Sequence, residues 1–492
     1  MKTFDIIIIG SGPGAAGFIH YLFNKNITKS ILIIEAGTNS IYDKNHQDLH
    51  NIYQIKCKNN IKNQHLRANC VGGGATINAS IYVAPSIKER DSCFSYIKSE
   101  IRNQAYQNYL DLLNNHIFKS KHESGYYLYQ LFKDSITARY EDINSQNELL
   151  KANENTFGNV ASLYNDNKIR VSLIEQLWQA NNNITLLSNT KVKHLKLLHN
   201  GKVRVITNGL SNFEAHSIVC AAGVFGTPEL LVASKLLPSS TIFNFFDRPR
   251  LAFIYKFPQK QIWDNTPNEG YNFYYLNRIT NEIYEYMVRN PFKYQAGLEL
   301  IGESTTNLTA KLEGLVNLLW VSVVNMSPIP QYMFSSINKH LQVVSSLLNI
   351  TINPMFDNYN DYACKFEIKK SDNKYYPYIT QWKYNDSKTT LFYKKAIERF
   401  MKQEHKKLIK YNAQPMFNKD YKYNFNDLQT HWHYGGSMIN HIDSNCKLSI
   451  QNHQIFVSDM SIAKSNNRAN THGLAHLCGN IAAACYANLI DS

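Results

Sequence analysis

The first residues that could do chemistry are glycines near the N-terminus, and they have the spacing of a dinucleotide-binding turn. Residues 10–17 read GSGPGAAG. Gly10 permits a tight turn, Gly12 lets the backbone approach a pyrophosphate, and Ala15 is small where a helix packs on a strand. Free N–H groups at the start of that helix would face the phosphates. The predicted cofactor-binding residues of this turn are Gly10, Gly12, Pro13, Gly14 and Ala15.

An acidic residue narrows the choice of nucleotide. Glu35 follows the apolar run 31–34, and a carboxylate at this place accepts hydrogen bonds from the ribose hydroxyls. That interaction favours an unphosphorylated ribose over the ribose of NADP. The turn and Glu35 by themselves leave FAD and NAD as alternatives.

The elements that must position this turn form a βαβ unit. We predict a strand over 4–9, a helix over 15–23 and a second strand over 31–34. Because the first apolar run is short and Gly10 follows it at once, we expect a buried strand there and not a signal peptide.

The remaining chain indicates a second kind of sheet. Short strands are predicted between 184 and 222, with Asn-Gly hairpin turns at 200–201 and 208–209. Alternating apolar runs within 241–424 indicate a mainly antiparallel sheet. Further helices are predicted over 97–115, 125–134 and 473–490.

The length of 492 residues favours two domains. We predict an α/β fold, in which a Rossmann-like nucleotide-binding domain is joined to a second domain built on a mainly antiparallel β-sheet with helices. The nucleotide-binding domain is predicted to be discontinuous, over 1–85, 160–240 and 425–492. The substrate-binding domain with its cap elements is predicted over 86–159 and 241–424.

Charge and cysteine content limit the partners and the compartment. The net charge is +14, but the basic residues are scattered, so we expect no nucleic-acid partner. No window reaches the ~18 uninterrupted apolar residues of a membrane span, so none is expected. Eight cysteines without a CxxC pair are typical of a reducing compartment, which favours a cytoplasmic location.

Several separated segments together resemble the glucose–methanol–choline (GMC) oxidoreductase family. The glycine segment that ends in Asn78 is most similar to that of cholesterol oxidases, and the segment that begins at His433 is most similar to that of pyranose oxidases. The likeness is weak across 86–180 and 241–424. The segments are GSGPGAAG at 10–17 with IIEAG at 33–37, VGGGATIN at 71–78, SIVCAAGVFGTPELLVAS at 217–234, HYGGS at 433–437, and DMS at 459–461.

The resemblance implies FAD as the cofactor and the architecture that GMC enzymes share with p-hydroxybenzoate hydroxylase. No histidine follows directly after Gly74, so the covalent histidine–flavin link of some relatives is not expected and FAD should be held non-covalently. Besides the N-terminal turn, the implied cofactor-binding residues are Glu35, Ala36, Gly73, Gly74, Asn78, Val192, Ala222, Asp459, Met460 and Thr471.

The resemblance also implies a catalytic pair near the C-terminus. His433 begins the family's HxxGT-type segment, and Asn470 stands eleven residues after Asp459, where the family commonly has its second active-site residue. Alcohol oxidation removes a proton from oxygen and a hydride from carbon. A histidine that takes the proton makes the alcohol a better hydride donor. We therefore predict His433 as the general base and Asn470 as the residue that orients the hydroxyl.

Alternatives remain open at each step. His472 is the alternative to Asn470, and His431 with His433 forms an HxH pattern that lacks a clear third metal ligand, so no metal is expected. The predicted substrate is an alcohol of a sugar, cyclitol or natural product, with oxygen or another molecule as electron acceptor. A non-redox FAD-containing lyase and a non-catalytic nucleotide-binding carrier are the competing functions.

Overall fold

The computed structural model describes the chain in separate stretches. Two predicted site residues, Asn78 and Asn470, and the predicted helix over 125–134 lie outside them. The described residues are 2–38, 52–59, 61, 65–77, 81–82, 84–85, 87–116, 139–140, 156–159, 161–162, 172–209, 211–247, 249–256, 271–277, 282–289, 347–353, 364–382, 406, 414–415, 429–430, 432–450, 452–465 and 471–490.

The described strands, in chain order, are β1 (Lys2–Ile9), β2 (Ile31–Ile34), β3 (Ile52–Cys57), β4 (His65–Ala68), β5 (Ile81–Tyr82), β6 (Arg139–Tyr140), β7 (Thr156–Asn159), β8 (Ala161–Ser162), β9 (Ile184–Leu187), β10 (Val192–Leu197), β11 (Val203–Thr207), β12 (Phe213–Cys220), β13 (Ile242–Phe245), β14 (Pro249–Lys256), β15 (Tyr271–Asn277), β16 (Glu282–Arg289), β17 (Leu347–Asn353), β18 (Cys364–Ser371), β19 (Lys374–Gln381), β20 (Gln414–Pro415), β21 (Gln429–Thr430) and β22 (Gln454–Val457). The described helices are α1 (Pro13–Asn24), α2 (Gly74–Ile77), α3 (Ile87–Cys93), α4 (Ser99–His116), α5 (Leu173–Gln179), α6 (Gly223–Ala233) and α7 (His472–Ile490), with a 3-10 helix at Met460–Ile462.

The main sheet carries the nucleotide-binding turn. Its described strands run in the order β10-β11-β12-β1-β2-β9, and β22 lies beside the second half of β12. The strands β22, β12, β1, β2 and β9 are parallel, and β10 and β11 form an antiparallel hairpin. The inner strand β1 ends in four buried isoleucines, as expected for a parallel strand that is covered on both faces.

The register of the parallel strands brings four chain segments to one edge. Ile9 pairs with Ile34 and with Cys220, and Cys220 pairs with Val457. The residues that follow these four strands therefore meet at the carboxyl edge of the sheet. In open α/β sheets, ligands bind at this edge.

Helices α1 and α7 pack on each other so closely that two glycines are required. A Cβ atom at Gly17 would overlap the backbone carbonyl of His476, and one at Gly479 would overlap the carbonyl of Gly14. By length and composition α7 is the one described helix that could cross a bilayer, but 78% of its most apolar window is buried inside the protein. That burial favours a core helix.

Three further sheets lie outside the main one among the described strands, the smallest being the pair β5-β8. Among the described strands, one sheet has the order β13-β18-β19-β3-β4, and a larger one has the order β20-β14-β17-β16-β15-β7-β6, with β21 beside β14. The pairs β14–β17, β15–β16, β16–β17 and β18–β19 are antiparallel. The predicted antiparallel character of 241–424 is confirmed for these strands.

The predicted elements of the first βαβ unit are confirmed, with β2 at the predicted bounds and α1 starting two residues early at Pro13. Both hairpins around the Asn-Gly pairs form. The sequence reasoning did not predict the pairing of β3 with β19. Strand pairs of such sequence separation have no local signal, because their register depends on side chains from both segments.

Candidate functional site

The N-terminal turn uses its first two glycines for different purposes. Gly10 has a φ of 98°, and a Cβ atom there would overlap the carbonyl of Ala221. Gly12 caps α1, with Pro13 following at the first helical positions, and a Cβ atom on Gly12 would meet no atom within 4 Å. The fold therefore requires a glycine at position 10, whereas position 12 faces open space beside the helix N-terminus.

Glu35 holds this turn in place. One carboxylate oxygen, Oε2, accepts hydrogen bonds from the backbone N and the Oγ of Ser11, at 3.0 and 2.7 Å. The other, Oε1, accepts one from the backbone N of Gly37 at 2.9 Å. Burial raises the pKa of the Glu35 carboxyl, and these hydrogen bonds oppose that rise. The backbone N of Ala36 also hydrogen-bonds to this carboxylate, so Glu35 fixes both the turn and the residues that follow β2.

The second glycine segment joins the same place through Ser11. The backbone N of Gly72 donates to Ser11 Oγ at 3.1 Å. Gly73, with a φ of 56°, lies so close to Gly12 that an added Cβ would stand 3.0 Å from the Gly12 Cα. Gly74 begins α2 and faces open space. The structure thus brings Gly12, Gly73 and Gly74 together.

Asp459 joins the C-terminal segment to α6. Its Oδ2 accepts hydrogen bonds from the backbone N of Gly223 at 2.9 Å and from Thr227 Oγ1 at 2.7 Å. Its Oδ1 accepts one from the backbone N of Ser461 at 2.8 Å. Burial raises the pKa of this carboxyl, against the effect of the hydrogen bonds. In the described contacts Asp459 fixes the starts of two helices.

The other predicted cofactor residues occupy distinct positions. Ala222 caps α6 and precedes Gly223, whose φ is 80° and which faces open space. Ala36 is exposed after β2. Val192 is buried at the start of β10 and pairs with Thr207.

Three glycines at this edge are not explained by protein packing. The Cβ positions of Gly12, Gly74 and Gly223 all lie more than 4 Å from other protein atoms, whereas Cβ atoms at Gly10 and Gly14 would overlap backbone atoms. A cradle of free backbone at a helix N-terminus fits a pyrophosphate. The residues present therefore fit a bound dinucleotide.

The segment that begins at His433 is fastened to the same edge. The backbone N of Gly436 donates to the Met460 carbonyl at 3.0 Å, and that of Met438 donates to the Ser461 carbonyl at 2.9 Å. Ser437 Oγ donates to the Val224 carbonyl at the start of α6, at 2.6 Å. His433 itself is half-buried. The predicted base is thus carried by a turn tied to two neighbouring segments.

Helix α7 contacts the segment that holds this turn through its second helical turn. The sulfur of buried Met460 lies 3.9 Å from Cys478 Sγ on α7. The Thr471 carbonyl accepts the first helical hydrogen bond, from the backbone N of Ala475 at 2.8 Å. His472, the alternative to Asn470, is buried here, with its ring 5.0 Å from that of His476.

Among the described residues, no group of three or more His, Cys, Asp or Glu side chains could hold a metal ion. A polar surface cleft of about 490 Å³ lies elsewhere, lined by the end of α1 and by α4. Its lining is mainly amide side chains, including Gln104, Gln107 and Asn108. It shares no residue with the carboxyl edge, so we do not assign it to the site.

Comparisons with known proteins place this geometry in a known architecture. No protein-family model and no curated protein matches the sequence. Solved structures do match over nearly the whole chain. Pyridoxine 4-oxidase from Mesorbium loti has 14% identity and a TM-score of 0.67, covering 98% of this chain and 99% of its own. A formate oxidase from Aspergillus oryzae RIB40 has 12% identity and a TM-score of 0.67, covering 100% and 99%. A fungal aryl-alcohol oxidase has 11% identity and a TM-score of 0.64, covering 100% of both chains.

The chain has the fold of the GMC oxidoreductases. This finding confirms the fold class and the resemblance that the sequence motifs indicated. At 11–14% identity the likeness shows the fold, and the activity has to be argued from the site.

Sequence reasoning missed two residues that build the site. Ser11 received no role in the sequence analysis, yet it joins Glu35 to Gly72. Thr227, in the GTP part of the third motif, binds Asp459. Both are buried hydroxyls within motifs, and their partners are distant in sequence.

Proposed function

We propose that this chain is an FAD-dependent oxidoreductase that oxidises an alcohol CH–OH group. The observation that carries the proposal is the carboxyl edge, where the cradle of Gly12, Gly74 and Gly223 adjoins Asp459 and the turn of His433. A dinucleotide held at one end of this edge would extend toward the other. The likeness to solved oxidases supports this assignment.

The N-terminal half of the edge supports FAD binding. The helix N-terminus at Gly12 and Pro13 offers free N–H groups to a pyrophosphate. We propose that the Glu35 carboxylate, which binds Ser11 and Gly37, also accepts a hydrogen bond from a ribose hydroxyl. We propose that FAD is held non-covalently, because no histidine follows directly after Gly74.

The C-terminal half supports the chemistry. When bound, FAD supplies the acceptor for the hydride. His433 takes the hydroxyl proton of the alcohol, a step worth ~10²–10⁴-fold in rate. Asn470 stands directly before Thr471 and α7, and there it orients the hydroxyl. The positive end of the α7 dipole favours negative charge at this place.

The substrate and acceptor are proposed more broadly. Two of the similar structures are named for alcohol substrates, pyridoxine and aryl alcohols. We propose a polar alcohol of a sugar, cyclitol or natural product, with oxygen as the first acceptor to test. No disulfide joins the described cysteines, which supports the proposed cytoplasmic location.

The test begins with the purified protein and its visible spectrum. We expect a yellow protein whose flavin is released by denaturation, since no covalent link is proposed. A colourless protein that added FAD cannot reconstitute would overturn the proposal. Flavin that stays with the denatured chain would overturn the non-covalent part.

The second measurement separates oxidation from a lyase or carrier function. Pyridoxine, 4-methoxybenzyl alcohol, glucose and myo-inositol are mixed anaerobically with the holoprotein, and bleaching of the flavin is followed. Reduction by one of these alcohols supports the proposal. A holoprotein that none of a broad alcohol panel reduces favours the lyase or carrier.

The third measurement tests the base. H433A should keep the yellow colour and reduce its flavin about 10²-fold more slowly or worse, because the proton acceptor is lost. H453A is the matched control, since His453 is half-buried and its Nε2 atom lies 3.0 Å from the Leu198 carbonyl, between β10 and β11 and away from the turn of His433. Equal reduction rates in H433A and wild type would remove His433 from the mechanism.

A further inference from the structure

The backbone on either side of His433 is constrained by a left-handed residue before it and a β-bridge after it. Trp432 has a φ of 57°, a left-handed backbone that non-glycine residues rarely adopt. Its backbone N donates to Thr430 Oγ1 at 3.0 Å. Gly435 forms a two-way bridge with Phe246, with N–O distances of 2.9 and 3.0 Å. Strained backbone of this kind persists where the surroundings over-determine it, and such places cluster at functional sites.

Tyr434 is the buried anchor of this turn. Its ring contacts Phe225 of α6 with a centroid distance of 4.8 Å and Phe245 of β13 at 6.0 Å. Its hydroxyl accepts a hydrogen bond from the backbone N of Leu66 at 3.3 Å and lies 3.2 Å from Nδ1 of His65. One side chain thus connects α6, the sheet of β13 and β4, and the turn of His433.

His65 gives this anchor a chemical character beyond packing. It is fully buried on β4, and burial lowers the pKa of its imidazole to about 3. The ring lies beside Trp382, whose Nε1 donates to Asp247 Oδ2 at 2.9 Å. No described residue lies within hydrogen-bond distance of the buried Nε2 atom of His65. A buried polar ring with only one satisfied nitrogen is a rare arrangement, and a leucine or phenylalanine would fill the space without it.

We propose that Tyr434 and His65 form a positioning pair, in which the hydrogen bond from the phenol to the imidazole fixes the turn so that His433 stands where it can take the substrate proton. The inference rests on the proposed function for the role of His433. Neither residue of the pair touches the reacting atoms. A displacement of about 1 Å in such a turn can cost on the order of 10²-fold in rate.

The test compares variants that remove the hydrogen bond but keep the packing. Y434F keeps the ring and loses the hydroxyl. H65L removes both ring nitrogens, whereas H65N restores a polar atom near the place of Nδ1. Y106F is the matched control, because Tyr106 is equally buried and its hydroxyl donates to the Pro85 carbonyl at 2.9 Å, away from this turn.

The first readout does not depend on activity. Amide hydrogen exchange of 429–438 reports how often the turn opens. Y434F and H65L should exchange at least about tenfold faster there than wild type, H65N should recover part of the protection, and Y106F should match wild type. Exchange in Y434F that equals that of Y106F would overturn the proposal.

The second readout is the limiting rate of anaerobic flavin reduction by whichever alcohol reduces the wild type. Y434F should lower it by about tenfold or more with less than a twofold change in FAD affinity, and Y106F should leave both unchanged. A fall in FAD affinity without a fall in the rate would contradict a positioning role.

Should Y434F be insoluble, the comparison of H65L with H65N replaces it. If no alcohol reduces the wild type, the proposed function fails while the exchange experiment still decides whether the pair holds the turn.

Discussion

Two buried carboxylates stand at the same edge of the main sheet, and they differ in what they hold. Glu35 follows β2 and accepts its hydrogen bonds from Ser11 and Gly37, within the first βαβ unit. Asp459 follows β22 and accepts its hydrogen bonds from Gly223 and Thr227, 236 and 232 residues away, besides Ser461. One carboxylate shapes a local turn beside an open cradle, and the other joins distant segments. The same residue chemistry at the same edge therefore shapes a local turn in one case and joins distant segments in the other.

The largest expected effect on stability comes from removing the Asp459 carboxylate, which joins distant segments. D459A should lower the free energy of unfolding of the apoprotein by about 3–5 kcal/mol, because three buried donors lose a charged acceptor. E35A should cost less, about 1–2 kcal/mol, since water can reach Ser11 from the cradle that Gly12 faces. Urea unfolding of the two variants measures the difference. Equal losses of unfolding free energy in D459A and E35A would contradict a structural difference between the two carboxylates.

The next prediction distinguishes what Gly10 contributes to folding from what Gly12 contributes to FAD binding. G10A should destabilise the protein by about 2–4 kcal/mol, because of the positive φ and the overlap with the Ala221 carbonyl. G12A should change stability by less than about 0.5 kcal/mol and weaken FAD binding by about tenfold or more, since its methyl group would enter the cradle. Thermal unfolding of the apoprotein and FAD titration give the two numbers. A G12A protein that binds FAD normally would move the pyrophosphate away from this turn.

A smaller effect is expected from removing the proposed hydrogen bond between the Glu35 carboxylate and the ribose of FAD. E35Q should weaken FAD binding by roughly tenfold, which corresponds to about 1.4 kcal/mol for a lost charged hydrogen bond. E214Q is the control, because Glu214 lies in an ion pair with Arg204 on the β11–β12 hairpin. Wild-type FAD affinity in E35Q would mean that Glu35 acts only on the turn, as Asp459 acts on α6.

The smallest effect is the pH dependence of stability. Burial raises the pKa of both carboxyls in the folded protein. Each therefore stabilises the fold below its unfolded pKa of about 4, and this contribution is lost as the pH rises through the raised folded value. Relative to wild type, the apoproteins of E35Q and D459N should gain stability from about pH 4 upward, by at most about 1.4 kcal/mol per pH unit. Unfolding curves at several pH values give this slope, and a slope of opposite sign would show that the hydrogen bonds outweigh burial.

Local patterns predicted the parts of the molecule that local interactions build. The isoleucines of β1, the small residues of the first turn and the run of β2 each reflect neighbours in the chain, so strand, turn and helix were predictable from them. Asn-Gly pairs predicted two hairpins for the same reason. The motifs also predicted the fold class, because glycines are needed wherever backbone approaches backbone or a ligand.

The tertiary structure alone decided which residues meet. The sequence by itself determined that a nucleotide turn, an acid after β2 and a histidine-led turn exist. Only the sheet register brings Ile9, Cys220 and Val457 level, so that Asp459 reaches α6 and the two residues after it reach the His433 turn. His65 and Tyr434 are 369 residues apart in the chain, and their contact depends on how the His433 turn packs against the sheet of β13 and β4. Such contacts have no sequence signal, because their geometry is set by the burial of many side chains at once and not by the residues that make the contact.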